Sequence, residues 1–226
     1  MKIVVPTQFE AGYIFDSREI EEATTPEYRA FLKEAGYVDL EETPNLFVAH
    51  KVLRIEDHVL SAAEKAGIKV NYDKRKRVNH INQRNASSLI SSLGGRVLTS
   101  RLMYGLVIPH LTQSDSDEAR ATLEEMTNEM VEFLQDSILN KNKVRIGNAE
   151  REIALPKKDG YFDRSDLNEF GYPNQVKKAQ GEHYFWFPNG AENVVIRDWG
   201  SELSLNLNWD PSSADVVLGV RFAKFF

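Results

Sequence analysis

Apolar positions along this chain recur first at helical spacing and then at strand spacing, and that change of period organises the molecule. Lys2–Val5 is a short β-branched run that Pro6 stops. Asp16 or Ser17 can cap a helix starting at Arg18, and Thr25 followed by Pro26 is a second start signal. Tyr28, Phe31 and Leu32 share one face of that second helix, which Gly36 ends. Pro44 precedes an extended or mixed segment, LFVAHKVLRI. Ile55, Val59, Leu60, Ala63 and Ala66 then predict a helix that Gly67 terminates, followed by the strand IKVNY. Ala86, Leu89, Ile90 and Leu93 predict a helix over 85–93, before the pair Gly94-Gly95. Thr99 or Ser100 caps the next one, SRLMYGLVIPHL, whose end Pro109 marks.

The longest helical pattern is SDSDEARATLEEMTNEMVEFLQDSIL. Ser114 or Asp115 stands at its cap and acids fill its first turn, where the positive end of the helix dipole favours them. Leu123, Met126, Met130, Phe133, Leu134 and Ile138 make an apolar stripe. This predicts a helix over 115–139 with its stripe against a core or a partner. After Asn140 the pattern changes: short apolar pieces (VRIG, REIALP, HYFWF, NVVIRDW, LSLNLNW, VVLGVRFAKF) alternate with Gly, Pro, Asn and Asp. A helix-rich first part and a strand-rich last part predict an α+β fold.

Charge and composition narrow the function classes. With 28 basic against 34 acidic residues the net charge is −6, which disfavours nucleic acid as a partner. The one concentrated basic run, Lys74–Arg77, has no aromatic interleaved to stack on bases, so a solvated loop is favoured over an anion patch. The chain has no cysteine, which removes disulfides, thiol chemistry and thiolate metal sites, and fits a reducing compartment. No apolar run approaches the roughly 20 residues of a membrane span. The first 15 residues read as a strand rather than a signal peptide, so a cytoplasmic or virion-associated location is expected.

Two stretches carry a resemblance: SSLISSLGGRVLTSRLMYGLV at 87–107 and WDPSSADVVLGVRFAK at 209–224. Together they resemble formylglycine-generating-enzyme-like domains, which have a GGRLPT turn between two helices and a GFR or GVR strand near the C-terminus. The resemblance implies a C-type-lectin-like fold, shared with the variable ligand-binding proteins of diversity-generating retroelements. It covers roughly 84–110 and 184–226, and residues 1–80 take no part in it. The organisation expected is therefore an N-terminal α/β segment, 1–83, and a C-type-lectin-like domain, 84–226, with a helical insert at 115–139. Gly219 would allow close backbone approach in the closing strand, with Val220 and Phe222 toward the core and Arg221 turned to a carboxylate or carbonyls. Formylglycine-generating activity is excluded by the missing cysteine pair, and the five histidines do not form the His-x₃-His-x-Glu cluster of iron-dependent relatives.

Other constellations lack the spacing that chemistry requires. No Gly-x-Ser-x-Gly, Walker or Gly-x-Gly-x-x-Gly pattern occurs. Asp159, Asp163 and Asp166 sit in a Gly-containing loop without a calcium-loop register. Asn208-Trp209-Asp210 reads as a strand end whose Asp210 opens a turn. The aromatic cluster is the strongest hint. Tyr184, Trp186, Asn189, Arg197, Asp198, Trp199, Asn206, Asn208 and Trp209 can share one face, and such residues combine rigid contact area with adaptable hydrogen bonding. The competing reading is an aromatic-rich core. The function expected is a non-enzymatic domain binding a protein or glycan, without cofactor or metal, possible as a homo-oligomer, of the retroelement-variable or phage receptor-binding kind. The alternative is a structural component of a virion or tail. An enzyme using Asp163, Asp166, Glu182 and Asp198 is the third.

Overall fold

The structure, a computed structural model, describes residues 37–39, 46–128, 130–140, 143–146, 149–168, 171–190, 192–198 and 203–225. The strand expected at Lys2–Val5, the two helices expected before Gly36 and Trp199 lie outside these residues. The described chain mixes helix and strand in the α+β manner. Helices α1 (Asp57–Lys65), α2 (Gln83–Ser92), α3 (Ser100–Leu102), α4 (Ile108–Gln113) and α5 (Asp117–Asn128) precede most of the sheet.

The described residues form three sheets. Strands β1 (Tyr37–Asp39) and β2 (Leu46–Val52) form a three-stranded sheet with β13 (Arg221–Phe225), in the order β1-β2-β13. Strands β3 (Asn71–Tyr72) and β4 (Val78–Asn79) make a small ribbon. The large sheet contains β5 (Val131–Asn140), β6 (Lys143–Ile146), β7 (Ala149–Glu152), β8 (Gly160–Phe162), β9 (His183–Trp186), β10 (Glu192–Arg197) and β11 (Leu205–Trp209). Its order is β7-β6-β5-β10-β11-β9-β8, and β12 (Leu218–Gly219) adds to β5. Pairing is antiparallel except between β11 and β9 and between β12 and β5.

At Phe133–Leu134 of β5 and Val195–Ile196 of β10 the sheet is packed on both sides, neighbouring residues pointing to opposite faces. Phe133 and Ile196 join a core with α1 and α2, through Val59, Ala62, Ala86, Leu89 and Ile90. Their neighbours Leu134 and Val195 join a second core with Met103, Tyr104, Val107, Ile108 and Met126. This explains the one large departure from the sequence pattern. The helix expected over 115–139 ends at Asn128, and its second half is β5. A strand buried on both faces is apolar at consecutive positions, so Phe133 and Leu134 prolong the true helical stripe of Leu123 and Met126 without being helical.

Helix ends follow local chemistry. Asn82 caps α2 by accepting the Asn85 N–H at 3.0 Å. At the other end Gly94, with φ of 75°, donates to Ser91 O at 2.9 Å and Gly95 donates to Ile90 O at 3.0 Å, the Schellman arrangement. Thr99 caps α3, as its position predicts, accepting the Leu102 N–H at 3.3 Å. Ser116, rather than Ser114 or Asp115, caps α5 by accepting the Ala119 N–H at 3.0 Å. Pro109 does not end its helix. A π segment, Met103–Val107, lies between α3 and α4 and widens the coil just where the proline ring would meet the carbonyl four residues back, that of Gly105.

The two stretches that carry the family resemblance meet in space. The Arg96 N–H donates to Ala223 O at 2.8 Å and the Ala223 N–H to Arg96 O at 3.1 Å. Gly95 lies under the Phe222 ring so closely that a Cβ would fall 2.1 Å from Phe222 Cε2. Gly219 is similarly close to Met130 Cε, at 2.7 Å for a Cβ.

Candidate functional site

Strands β8 and β9 pair antiparallel, with Tyr161 opposite Tyr184 and Phe162 opposite His183. Alternation therefore divides their side chains cleanly. Phe162, His183 and Phe185 face the second core, where His183 lies edge-on to Tyr104 at 4.9 Å between ring centroids. Tyr161, Tyr184 and Trp186 occupy the other face. Tyr161 meets Tyr184 edge-on at 4.9 Å, and Tyr184 meets Trp186 at 5.0 Å. Trp186 is 40% exposed and Tyr184 half-buried. A row of edge-stacked rings is rigid, each ring fixing the next.

Strand β11 brings polar groups to this row. It runs parallel to β9, with Asn206 in register with Trp186. The Asn206 amide donates to Asp198 Oδ2 at 2.9 Å, and its Oδ1 accepts the Asn208 N–H at 2.8 Å. Asn206 is only 7% exposed, so it positions Asp198 and the Asn208 backbone within β11 and does not itself stand in solvent. Asn208 and Asn189 are exposed, and Asp198 is half-buried. Trp209 is half-buried against the first core.

Arg197 belongs elsewhere. It is 0% exposed and faces inward, away from the aromatic row. Its guanidinium donates to the carbonyls of Met126 and Met130 and to Glu132 Oε1 at 3.2 Å. The first of these carbonyls belongs to the last turn of α5, where carbonyls lack helical partners and a cation is favoured. Glu132 also binds Arg221, its Oε2 accepting from Nε at 3.0 Å and its Oε1 from Nη2 at 2.7 Å. Arg221 reaches Glu125 Oε2 at 3.3 Å and Ala49 O at 2.8 Å, while Glu125 accepts the Val52 N–H at 3.1 Å. Two arginines and two glutamates thus neutralise each other between the large sheet, α5 and the β2–β13 pair. Burial acts to raise the Glu132 carboxyl, but Arg221 and Arg197 outweigh it and hold the group below the usual carboxylate range.

The acidic loop is similarly committed. Asp163 binds Lys177, and this hydrogen bond, with one from the Glu182 N–H, holds its carboxyl low. Glu182 takes a two-pronged contact from Arg164, at 2.9 and 3.0 Å, plus the Arg164 N–H at 2.9 Å. That pairing keeps Glu182 low as well. Asp159 accepts the Phe187 N–H at 2.7 Å. These bonds fasten the loop between β8 and β9 along their far edge, where Tyr161 and Lys177 also exchange backbone bonds. Asp210 opens its turn as expected, accepting the Ser212 N–H at 2.7 Å. Among the described residues no group of three or more His, Cys, Asp or Glu is arranged to hold a metal ion. The described residues also include no helix long and apolar enough to cross a membrane.

The structure brings Tyr184, Trp186, Asp198, Asn206 and Asn208 together and removes Arg197 from the group. It also adds Tyr161, which sequence reasoning passed over. The signal was present, since GYF at 160–162 alternates in the same sense as HYFW at 183–186. Compared with family models, with curated proteins and with solved structures, the chain matches none of them.

Proposed function

We propose that this chain is a non-enzymatic binding module with a C-type-lectin-like fold, and that its ligand is a protein or a glycan. The single observation that carries the reading is the row Tyr161–Tyr184–Trp186 on the outer face of β8 and β9. Rigid rings that stay partly in water, beside the Asp198 carboxylate held by Asn206 and the exposed Asn208, give contact area at little entropic cost. The fold assignment is supported by the contact between the Gly94-Gly95-Arg96 turn and the closing Gly219–Phe222 strand. A retroelement-diversified or phage receptor-binding protein is the kind of molecule this reading fits.

The test is a binding screen of the chain against immobilised glycans and purified cell-surface proteins. The reading expects a saturable ligand whose binding Tyr184→Ala and Trp186→Ala each weaken at least about tenfold, the loss of one aromatic hot spot. Concentration-dependent self-assembly with no saturable ligand on either panel would contradict it and favour a virion or tail component.

A further inference from the structure

Two departures from ordinary backbone geometry meet in one hydrogen bond. The first is the π segment Met103–Val107, a widened coil of the kind that recurs at functional sites. It carries Tyr104, whose buried ring lies against the inner face of β9, edge-on to His183. The second is Leu203, at φ of 48°, a left-handed conformation that a bulky apolar residue keeps only where its surroundings impose it. The Tyr104 hydroxyl donates to Leu203 O at 3.0 Å.

Leu203 stands just before β11, and the chain there is tied to Asp198. The Asp198 N–H donates to Ser204 O at 2.8 Å, so the residue after β10 and the residue before β11 close on each other. Arg197 Nη1 donates to Asp198 O at 3.3 Å, from a guanidinium that Glu132 and the carbonyls of Met126 and Met130 hold in place. The Asn206 amide donates to Asp198 Oδ2 at 2.9 Å. The amide, carbonyl and carboxylate of Asp198 are thus each held. Asn206 is in register with Trp186, which places Asp198 across β11 from that ring.

We propose that Tyr104 is a positioning residue for the binding face: by holding Leu203 in its left-handed turn, it fixes Asp198 across β11 from Trp186. The carboxylate then meets a hydrogen-bond donor of the ligand while the ring takes its apolar surface. This inference rests on the reading of Tyr161, Tyr184 and Trp186 as a binding face. The chemistry of the side chain supports it. A phenylalanine would fill the space behind β9 equally well and would spare the cost of taking a hydroxyl out of water. The bond to Leu203 O is what the hydroxyl adds, and it acts at the border of the face. A carboxylate already in place costs a ligand no ordering.

The experiment first records ¹H–¹⁵N spectra of the full chain, of Tyr104→Phe and of Val107→Ala. Tyr104→Phe keeps the ring and removes the hydroxyl. Val107→Ala removes buried methyl groups from the same π segment and leaves the hydroxyl. The readout is the side-chain amide of Asn206, whose two proton signals should stand apart while it is bonded to Asp198. In Tyr104→Phe they should converge toward those of the exposed Asn189 and Asn208, with a melting temperature lowered by about 2–4 °C. In Val107→Ala the melting temperature should fall as far or further while the Asn206 signals stay. The same proteins, with Trp186→Ala, are then applied to an immobilised panel of glycans and purified cell-surface proteins. Each spot that Trp186→Ala weakens, Tyr104→Phe should weaken at least about threefold and Val107→Ala should leave unchanged. Unmoved Asn206 signals in Tyr104→Phe, equal movement in Val107→Ala, or spots weakened by Trp186→Ala but not by Tyr104→Phe would each overturn the proposal and leave the binding reading standing. A panel on which Trp186→Ala weakens no spot would overturn both.

Discussion

Arg221 shows how far a single residue can be read. In Val220-Arg221-Phe222 the apolar neighbours point into the first core, so the arginine must point the other way into a packed layer, where only a carboxylate or carbonyl can receive it. It finds both, in Glu132, Glu125 and Ala49. Arg197 obeys the same alternation, but its neighbour Asp198 is half-exposed, and the sequence holds no sign of which side of the strand is covered. Two predictions belong here. Replacing Glu132 by Gln leaves two buried guanidinium groups undercompensated, so unfolding in urea should show a loss of about 3–5 kcal/mol. The carboxyl is depressed in the folded state, so its stabilisation is complete above the unfolded value of about 4.3 and is lost as pH falls through the lower folded value. The unfolding free energy of the parent chain should therefore decline below about pH 4 more steeply than that of Glu132→Gln. Equal slopes would show that Glu132 does not carry the linkage.

Elements were legible where one face meets water. Helices α1 and α2 have a clean apolar stripe and recognisable ends, and both lie within a few residues of the spacing's forecast. Strand β5 was not legible, because burial on both faces erases the period of two. Nor was the π segment, since a proline ordinarily stops a helix and only tertiary packing of Met103, Tyr104 and Val107 keeps this one going. The close approach of α2's end to β13 gives a further prediction. A methyl group at Gly95 would strike the Phe222 ring, and one at Gly171, where φ is 82°, would strike the Arg101 backbone. Gly95→Ala and Gly171→Ala should each destabilise by about 1–3 kcal/mol in thermal or urea unfolding. An unchanged midpoint would show that these contacts are loose.

Across the whole molecule, one sheet does two jobs. Toward β5 and β10 it is covered on both sides, by α1 and α2 on one and by α4 and α5 on the other. Toward β8 and β9 the inner face stays packed while the outer face carries the half-buried Tyr161 and Tyr184 and the exposed Trp186. The salt-linked loop from Asp163 to Glu182 holds that outer portion in place without covering Trp186. The candidate face was partly readable, since the aromatic run announced itself, but the choice between core and surface needed the strand register. That register sends Phe185 inward and its two neighbours outward.

The measurement that bears most directly on this account is thermal unfolding of Trp186→Ala, recorded on the same samples whose ligand binding is titrated. A partly exposed ring on an open face contributes little to the core, so the melting temperature should stay within about 2 °C of the parent while binding falls at least about tenfold. A drop of several degrees with binding intact would contradict the account, and would make Trp186 part of the packing and place the ligand elsewhere.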